Sequence, residues 1–112
     1  MLIPKHVTIR DPKHLEWLRG LPCVKTGYRP CDACHIRTQT DGAMSKKPSD
    51  SWTIPMHRTE HSKQHSWGEF TYFHGDEGLD LAKQLAQDLY AVTGKTYEAI
   101  KLITAARKEI FG

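Results

Sequence analysis

The sequence contains no long hydrophobic run, and this absence excludes a helical membrane span. Its apolar stretches are only a few residues long, whereas a helix that crosses a bilayer needs about 20 predominantly apolar residues. Residues 1–6 also lack the apolar core of a secretory signal peptide. From these two absences we expect a cytoplasmic protein with no membrane partner.

Cysteine is scarce and odd in number, since the 112 residues include only three. An odd count argues against a complete disulfide framework. Cys31 and Cys34 have the spacing of a redox or metal-binding pair, but the surrounding sequence lacks the βαβ pattern of a thioredoxin-type motif. Internal repeats and low-complexity linkers are also lacking, and 38% hydrophobic with 26% charged residues is typical of one soluble domain over residues 1–112.

Charges of both signs are present but unevenly spread. The formal net charge is +3, and residues 1–56 carry nine Lys and Arg against five Asp and Glu. Residues 57–112 carry seven against eight. The excess of cations in the first half suits contact with phosphate groups, although a bias of this size is also common by chance.

Helix signals occur near both ends of the chain. After an extended arm over residues 1–10, Asp11 and Pro12 predict the start of a short helix that ends at Gly20. Apolar residues recur with a 3.6-residue period over residues 80–92 and again over residues 96–111. We interpret these two long helices as a scaffold, with a packing face for a partner as the alternative.

Two β-prone segments and a third helix region lie between those ends. Residues 31–38 and 51–56 predict strands joined by a polar loop, and helix signals resume after His57 until Gly68. Residues 69–74 are aromatic-rich and predict a further short helix. Four aromatic side chains of this region are expected in the core rather than as base-stacking platforms: Trp52, Trp67, Phe70 and Phe73.

Histidines are the chemically informative feature of this middle region. His61 and His65 stand four residues apart, so on a helix they share one face and can hold one metal ion. His35 lies in the first β-prone segment. One imidazole on a strand and two on a facing helix form a layout suited to metal-assisted hydrolysis.

The order of these motifs resembles that of the HNH endonucleases, most closely small prophage-type members, over roughly residues 21–70. The residues that carry the resemblance are Cys34-His35-Ile36-Arg37, Gly42, Lys47-Pro48-Ser49-Asp50, Trp52, Pro55, His61, His65 and Gly68-Glu69. The resemblance implies an α+β fold whose ββα-metal core is a β-hairpin followed by a helix over one divalent ion. A short N-terminal helix and a C-terminal helical extension at roughly 79–111 would flank that core.

The resemblance also implies a role for each of the three histidines. His35 takes the position of the general base, and imidazole has the near-neutral pKa that the activation of water requires. His61 and His65 take the positions of the metal pair. Cys34 takes the position of a third ligand, which would favour zinc over magnesium. The alternative, that Cys34 is a small buried filler and water completes the coordination, stays open.

Many members of the family carry a second, structural zinc between a C-x2-C knuckle and the first turn of the helix. The corresponding residues here are Cys23 with Thr26 and His57 with Glu60. Thr is not a useful zinc ligand and Glu is a poor substitute for Cys. We therefore expect that the structural zinc is lost and that hydrophobic packing replaces it. One other donor set is chemically feasible: Cys23, Cys31, Cys34 and His57.

Three cationic side chains are the expected nucleic-acid contacts: Arg37, Lys46 and Lys47. Arg suits bidentate binding of phosphate, and an Arg two residues past His35 lies on the same strand face. The alternative is that these side chains are ordinary solvated charges.

Two acidic residues are expected to support the site without touching substrate. Asp50 lies near the position of a family Asn that braces the loop above the hairpin, although Trp52 fits that spacing better. Glu69 is expected to hydrogen-bond a ligand histidine.

The sequence thus predicts a metal-dependent endonuclease that hydrolyses DNA phosphodiester bonds, as a nickase or on branched recombination DNA of a phage. One divalent ion is expected, Mg²⁺, Mn²⁺, Ni²⁺ or Zn²⁺, and DNA is the expected partner. A homodimer or a phage recombination partner stays open. The main alternative is a non-catalytic, zinc-stabilised nucleic-acid-binding module, and a further one is a degenerate scaffold without catalysis.

Overall fold

The computed structural model describes residues 8–42 and 46–112 and has a mixed α+β fold, as the sequence predicts. The described helices and strands are α1 (Pro12–Arg19), β1 (Asp32–His35), β2 (Thr53–Met56), α2 (Arg58–Trp67), α3 (Glu69–Tyr72), α4 (Asp76–Ala91) and α5 (Thr96–Phe111). A single 3₁₀ turn, Asp50–Trp52, leads into β2. No helix in this described part of the chain is long and apolar enough to cross a bilayer.

The first helix has the predicted bounds because its caps are encoded locally. The Asp11 carboxylate accepts a hydrogen bond from the backbone N–H of His14 at 3.1 Å, Pro12 occupies the first turn, and Gly20 follows the last residue. Asp11 satisfies one backbone N–H donor of the first turn, and Pro12 lacks the N–H that would otherwise remain unpaired there. Leu18 is fully buried, so the cap also fixes which face of α1 enters the core.

The two strands pair antiparallel over a shorter stretch than predicted. The register joins Asp32 to Met56 and His35 to Thr53. The Ile36 N–H still donates across to the Trp52 carbonyl at 2.8 Å. The next two N–H groups, those of Arg37 and Thr38, donate instead to the Glu69 carboxylate at 2.7 and 2.8 Å. The strand therefore ends where a side chain from α3 takes over its hydrogen bonds.

A histidine and a glycine delimit α2, the helix that carries the paired histidines. The His57 ring Nδ1 accepts from the Thr59 N–H at 3.3 Å and so caps the first turn. Gly68 has φ of +84°, a left-handed conformation that glycine adopts without a Cβ penalty. The helix ends there, as predicted from the sequence, and α3 begins at Glu69.

The fourth helix begins one turn earlier than predicted, at Asp76 rather than near residue 80. Gly78, a residue that weakens a helix in isolation, lies inside that extra turn. A Cβ on Gly78 would stand 1.7 Å from the Phe73 carbonyl oxygen. The glycine thus permits close packing of α4 on the preceding chain, a tertiary reason that periodicity cannot reveal.

One hydrophobic cluster extends from Leu18 in α1 to Ile110 in α5. The α4 helix packs on α5 and on β2, and Arg107 in α5 donates to the carbonyl oxygens of Cys23 and Val24 at 2.9 and 3.1 Å. These contacts favour the scaffold interpretation of the two long helices.

The expectation for the four aromatic side chains is half right. Phe73 is fully buried and Trp52 is partly buried. Trp67 and Phe70, in contrast, are 50% and 57% exposed, so the prediction that they lie in the core is wrong. Both lie close to Gly68, where α2 ends and α3 begins.

Candidate functional site

A pocket of about 190 Å³ brings together side chains of β1, α2 and the loop between the strands. It is lined by Ala33, His35, Arg37, Lys47, His61 and His65, and we call it the His pocket. An adjoining pocket of about 230 Å³ shares three of these side chains, those of His35, Arg37 and His65. The three histidines singled out from the sequence thus meet along one continuous groove.

The i, i+4 spacing of the two helical histidines aligns their rings. The Nε2 atoms of His61 and His65 are 3.1 Å apart, and the ring centroids are 4.7 Å apart. Residues four apart on a helix are neighbours on its surface, so α2 alone brings the two rings together. His35 reaches the same pocket from β1, where it alternates with the buried Cys34.

Asp32 orients one ring of this pair. Its Oδ2 is 3.0 Å from Nδ1 of His61. This hydrogen bond from His61 and the charge of Arg58 outweigh the opposing effect of burial and hold the pKa of Asp32 below its ordinary value. An ionised carboxylate only accepts hydrogen bonds, so Nδ1 of His61 carries the hydrogen. In the neutral form of this ring, Nε2 carries the lone pair and accepts the hydrogen bond from Nε2 of His65 at 3.1 Å.

The paired nitrogens fit one shared metal ion. Two imidazole nitrogens bonded to one ion at about 2.0–2.1 Å lie roughly 3 Å apart when the angle between the bonds is near 100°, and the observed separation is 3.1 Å. Within residues 8–42 and 46–112, no three His, Cys, Asp or Glu side chains form a metal-binding group. The donor set that the structure brings together here is two imidazoles, those of His61 and His65.

Cys34 lies apart from these nitrogens, in the core. Its side chain is fully buried, and its Sγ is 3.8 Å from Oε1 of Gln64. Burial raises the pKa of the Cys34 thiol, which disfavours the thiolate that a metal requires. The geometry favours the interpretation of Cys34 as a buried filler, and the argument for zinc that depended on a thiolate ligand loses its basis.

His35 has a carboxylate partner that was expected to brace a loop. Its Nε2 is 2.9 Å from Oδ1 of Asp50, a residue only 2% exposed. Burial lowers the pKa of His35, although Asp50 opposes this effect. For Asp50, burial is outweighed by hydrogen bonds from His35 and the Asp11 N–H and by the charge of Arg10, so its pKa is below its ordinary value. A neutral imidazole beside an ionised carboxylate results.

Two of the three predicted nucleic-acid contacts, Arg37 and Lys47, are at the rim of the groove. Arg37 and Lys47 line the His pocket, and both are exposed together with Lys46. Their cationic heads can reach a phosphate group without removing a buried ion-pair partner. This arrangement is what phosphate contact requires, though solvated charges would share it.

The expected hydrogen bond between Glu69 and a histidine is replaced by other contacts. Its carboxylate accepts from the N–H groups of Arg37 and Thr38 and from Thr38 Oγ1 at 2.6 Å. Both oxygens are therefore engaged at the end of β1. Glu69 shapes the groove by holding the chain that follows His35, rather than by orienting a metal ligand.

The residues that the HNH resemblance aligns with a structural zinc site lie at and near the first turn of α2: Cys23, Thr26, His57 and Glu60. We call them the knuckle cluster. The Cys31 thiol donates to the Tyr28 carbonyl at 3.4 Å. The polar groups of Cys31, Thr26 and His57 near Cys23 lower the pKa of its thiol against the opposing effect of burial.

Glu60 is integrated into the fold by side chains that are not metal ligands. Its Oε1 accepts from the Tyr72 hydroxyl at 2.8 Å and lies 3.4 Å from Nζ of Lys25. The same ammonium group stands 5.4 Å above the Tyr72 ring. A cationic side chain therefore occupies the electrostatic role that a metal ion would have beside this carboxylate.

Sequence reasoning missed three residues of the site. Asp32 could have been found, because an acidic residue on a strand facing paired histidines is the pattern of a carboxylate–histidine–metal triad. Arg10 and Asp11, which contact Asp50, gave no such signal. They lie about 40 residues from their partner and come to it only through folding.

Fold and site together define a small α+β domain with a histidine-lined groove between a two-stranded sheet and a helix. The chain belongs to the family described as "Protein of unknown function (DUF968)", whose model matches residues 1–92. The match extends through α4 and stops before α5. No curated protein and no solved structure matches the chain.

Proposed function

We propose that this protein is a metal-dependent endonuclease of the HNH type that hydrolyses DNA phosphodiester bonds, with the β1–β2 pair and α2 as its ββα-metal core. One observation carries the proposal. The side chains of His35, His61 and His65 line a common pocket, and two of their Nε2 atoms converge to 3.1 Å. A base and a metal-binding pair within one groove are the parts that phosphodiester hydrolysis needs.

The side chains divide the chemical work between them. His35, neutral because burial lowers its pKa, accepts a proton from the attacking water. Arg37 and Lys47 bind the phosphate backbone at the rim. When bound to His61 and His65, a divalent ion supplies charge that stabilises the scissile phosphate and the leaving 3′-oxygen. Asp32 holds the His61 ring so that its Nε2 lone pair remains available.

The expected product is a nick. The described residues contain one His pocket, so one chain has one set of reacting groups and cuts one strand in each event. The donor set also bears on the metal: imidazole suits nickel and zinc better than magnesium, which prefers oxygen ligands. Two imidazoles without a carboxylate ligand therefore favour Ni²⁺ or Zn²⁺, and Mn²⁺ over Mg²⁺.

A plasmid-nicking assay across Mg²⁺, Mn²⁺, Ni²⁺ and Zn²⁺, paired with metal content by mass spectrometry, tests the proposal. We expect the wild-type protein to nick and His65→Ala to lose both bound metal and nicking. His74→Ala is the matched control, because this exposed histidine packs against Phe111 at 5.7 Å between ring centroids, outside the His pocket. Equal nicking by the two variants, or none by the wild type with any metal, would contradict the proposal.

A further inference from the structure

We infer that Asp50 is a positioning residue for His35: it holds the imidazole with Nε2 protonated, so that Nδ1 keeps the lone pair that accepts a proton. This inference rests on the proposed function and assigns the orientation of its general base. The contact that supports it joins Oδ1 of Asp50 to Nε2 of His35 at 2.9 Å.

The direction of this hydrogen bond follows from the surroundings of Asp50. Its Oδ2 accepts from the Asp11 backbone N–H at 2.6 Å, and the Arg10 guanidinium lies 3.5 Å from Oδ1. Both neighbours stabilise the ionised carboxylate, which has acceptors only. Nε2 of His35 must therefore donate, and a neutral ring then has its lone pair on Nδ1.

The second ring nitrogen is free to react. Nδ1 of His35 has no hydrogen-bond partner among residues 8–42 and 46–112, whereas Nε2 is engaged by Asp50. The side chain is 12% exposed and lines both parts of the groove. A base held through one nitrogen and free at the other is the arrangement that removes a proton from water without a change of tautomer.

Residues 9–11, just before α1, hold Asp50 in place. This segment therefore has a structural role that a free extended arm would not have. Arg10 donates to the carbonyl oxygens of Pro48 and Lys47 at 2.6 and 2.9 Å. The Asp50 N–H donates to the Ile9 carbonyl at 2.9 Å. Backbone and side chain of Asp50 are thus fixed by the same three residues, 9–11, so the carboxylate cannot swing away from His35.

The chain provides a matched control in the same loop. Asp41 is also an acidic residue engaged by the loop, through the N–H and hydroxyl groups of Ser49, but it makes no hydrogen bond to His35. Asp41→Asn and Asp50→Asn remove one negative charge each with no change of shape. Only the second replaces the acceptor for Nε2 with an amide that can donate to it.

The experiment combines nitrogen NMR of ¹⁵N-histidine-labelled protein at pH 8 with plasmid nicking. His35→Ala assigns the His35 signals. We expect wild type and Asp41→Asn to show His35 with a protonated Nε2 and an unprotonated Nδ1. In Asp50→Asn, the population should move to the opposite tautomer or to a mixture, with nicking reduced on the order of 10²-fold or more, while Asp41→Asn nicks at the wild-type rate.

The outcomes separate this inference from the proposed function. A wild-type spectrum with the proton on Nδ1 overturns the inference and needs no variant, so it applies even if Asp50→Asn does not fold. A nicking wild type whose folded Asp50→Asn variant nicks equally well also overturns it, while the nuclease function stands. If the wild-type protein does not nick DNA with any of the four metals, the proposed function itself is refuted, whatever the spectrum shows.

Discussion

Two neighbouring regions of α2 differ in how their polar side chains are paired. The knuckle cluster at the first turn is filled by other protein side chains, whereas the His pocket beside His61 and His65 is open. At the first turn, the knuckle cluster has Glu60 bound to Tyr72 and Lys25, and Cys23 has polar groups near its thiol. One turn further, His61 and His65 point their Nε2 atoms at each other. Both regions correspond to metal sites in the family that the sequence resembles.

The knuckle cluster and the His pocket differ in the groups that pair with their polar side-chain atoms. In the knuckle cluster, the Glu60 carboxylate is paired with the Lys25 ammonium group and accepts from the Tyr72 hydroxyl, so protein groups compensate its charge. In the His pocket, Asp32 binds the outer nitrogen of His61 and leaves the inner nitrogens convergent. A filled site supports stability, whereas a site with two converging imidazole nitrogens can bind a ligand. The predictions below test this distinction.

The largest effect is expected from removal of the base. His35→Ala should reduce nicking by about 10²–10⁴-fold, the usual contribution of a general base, with little change in DNA affinity. The free energy of unfolding should fall by roughly 1–3 kcal/mol, because the buried Asp50 carboxylate loses a hydrogen-bond donor. Nicking rates, a urea titration and a DNA-binding measurement check the three parts. Near-wild-type nicking by this variant would remove His35 from the mechanism.

The next effect concerns the orientation of a metal ligand. Asp32→Asn should weaken metal affinity by roughly 10–100-fold, because the carboxylate that fixes the His61 ring is lost. Calorimetric titration with Ni²⁺ or Zn²⁺ measures this. Arg58→Ala is the control, since this residue contacts the same carboxylate at 3.2 Å but is 82% exposed. Equal losses in both variants would indicate a general electrostatic effect instead.

A smaller effect, on stability alone, is expected from the knuckle cluster. Glu60→Gln should lower the free energy of unfolding by roughly 1–3 kcal/mol at pH 7, since a buried charge-assisted contact with Lys25 is lost, and should leave nicking unchanged. Glu98→Gln, at an exposed pair with Lys101, should change it by less than about 0.5 kcal/mol. Urea titrations of the three proteins make the comparison.

The same variant has a pH signature. Burial raises the pKa of Glu60, but hydrogen bonds and the charges of Lys25 and Lys63 outweigh it, so the pKa is below its ordinary value. The stabilisation is therefore present above the unfolded pKa of about 4.3 and is lost as pH falls through the lower folded value. The difference between wild type and Glu60→Gln should shrink in acid. A constant difference would show that the contact is not charge-dependent.

The smallest effect is expected from metal removal. Because Lys25 and Tyr72 occupy the surroundings of Glu60, a strong chelator should leave the fold intact and shift the thermal midpoint by only a few degrees at most. Thermal unfolding with and without chelator measures this. Collapse of the fold together with two zinc equivalents in the untreated protein would show that Cys23, Cys31 or His57 holds a structural metal.

The sequence by itself determined the features that depend on neighbouring residues. Four such features follow from chemistry within a few positions: the caps of α1, the bounds of α5, the end of α2 at Gly68 and the shared face of His61 and His65. Backbone propensity and helical spacing act locally, so they can be read in order along the chain. The same local signals predicted the separate strand and helix segments, and the resemblance combined them into an α+β fold.

Only the tertiary structure decided which side chains meet across the fold. Asp50 lies 15 residues from His35 and 39 from Asp11, and Asp32 lies 29 from His61. The early start of α4 depends on the fit of Gly78 against Phe73. Glu69 accepts hydrogen bonds at the end of β1 rather than from a histidine. A hydrogen bond or a close backbone contact between distant residues depends on distances of tenths of an ångström. Those distances exist only once the core has packed.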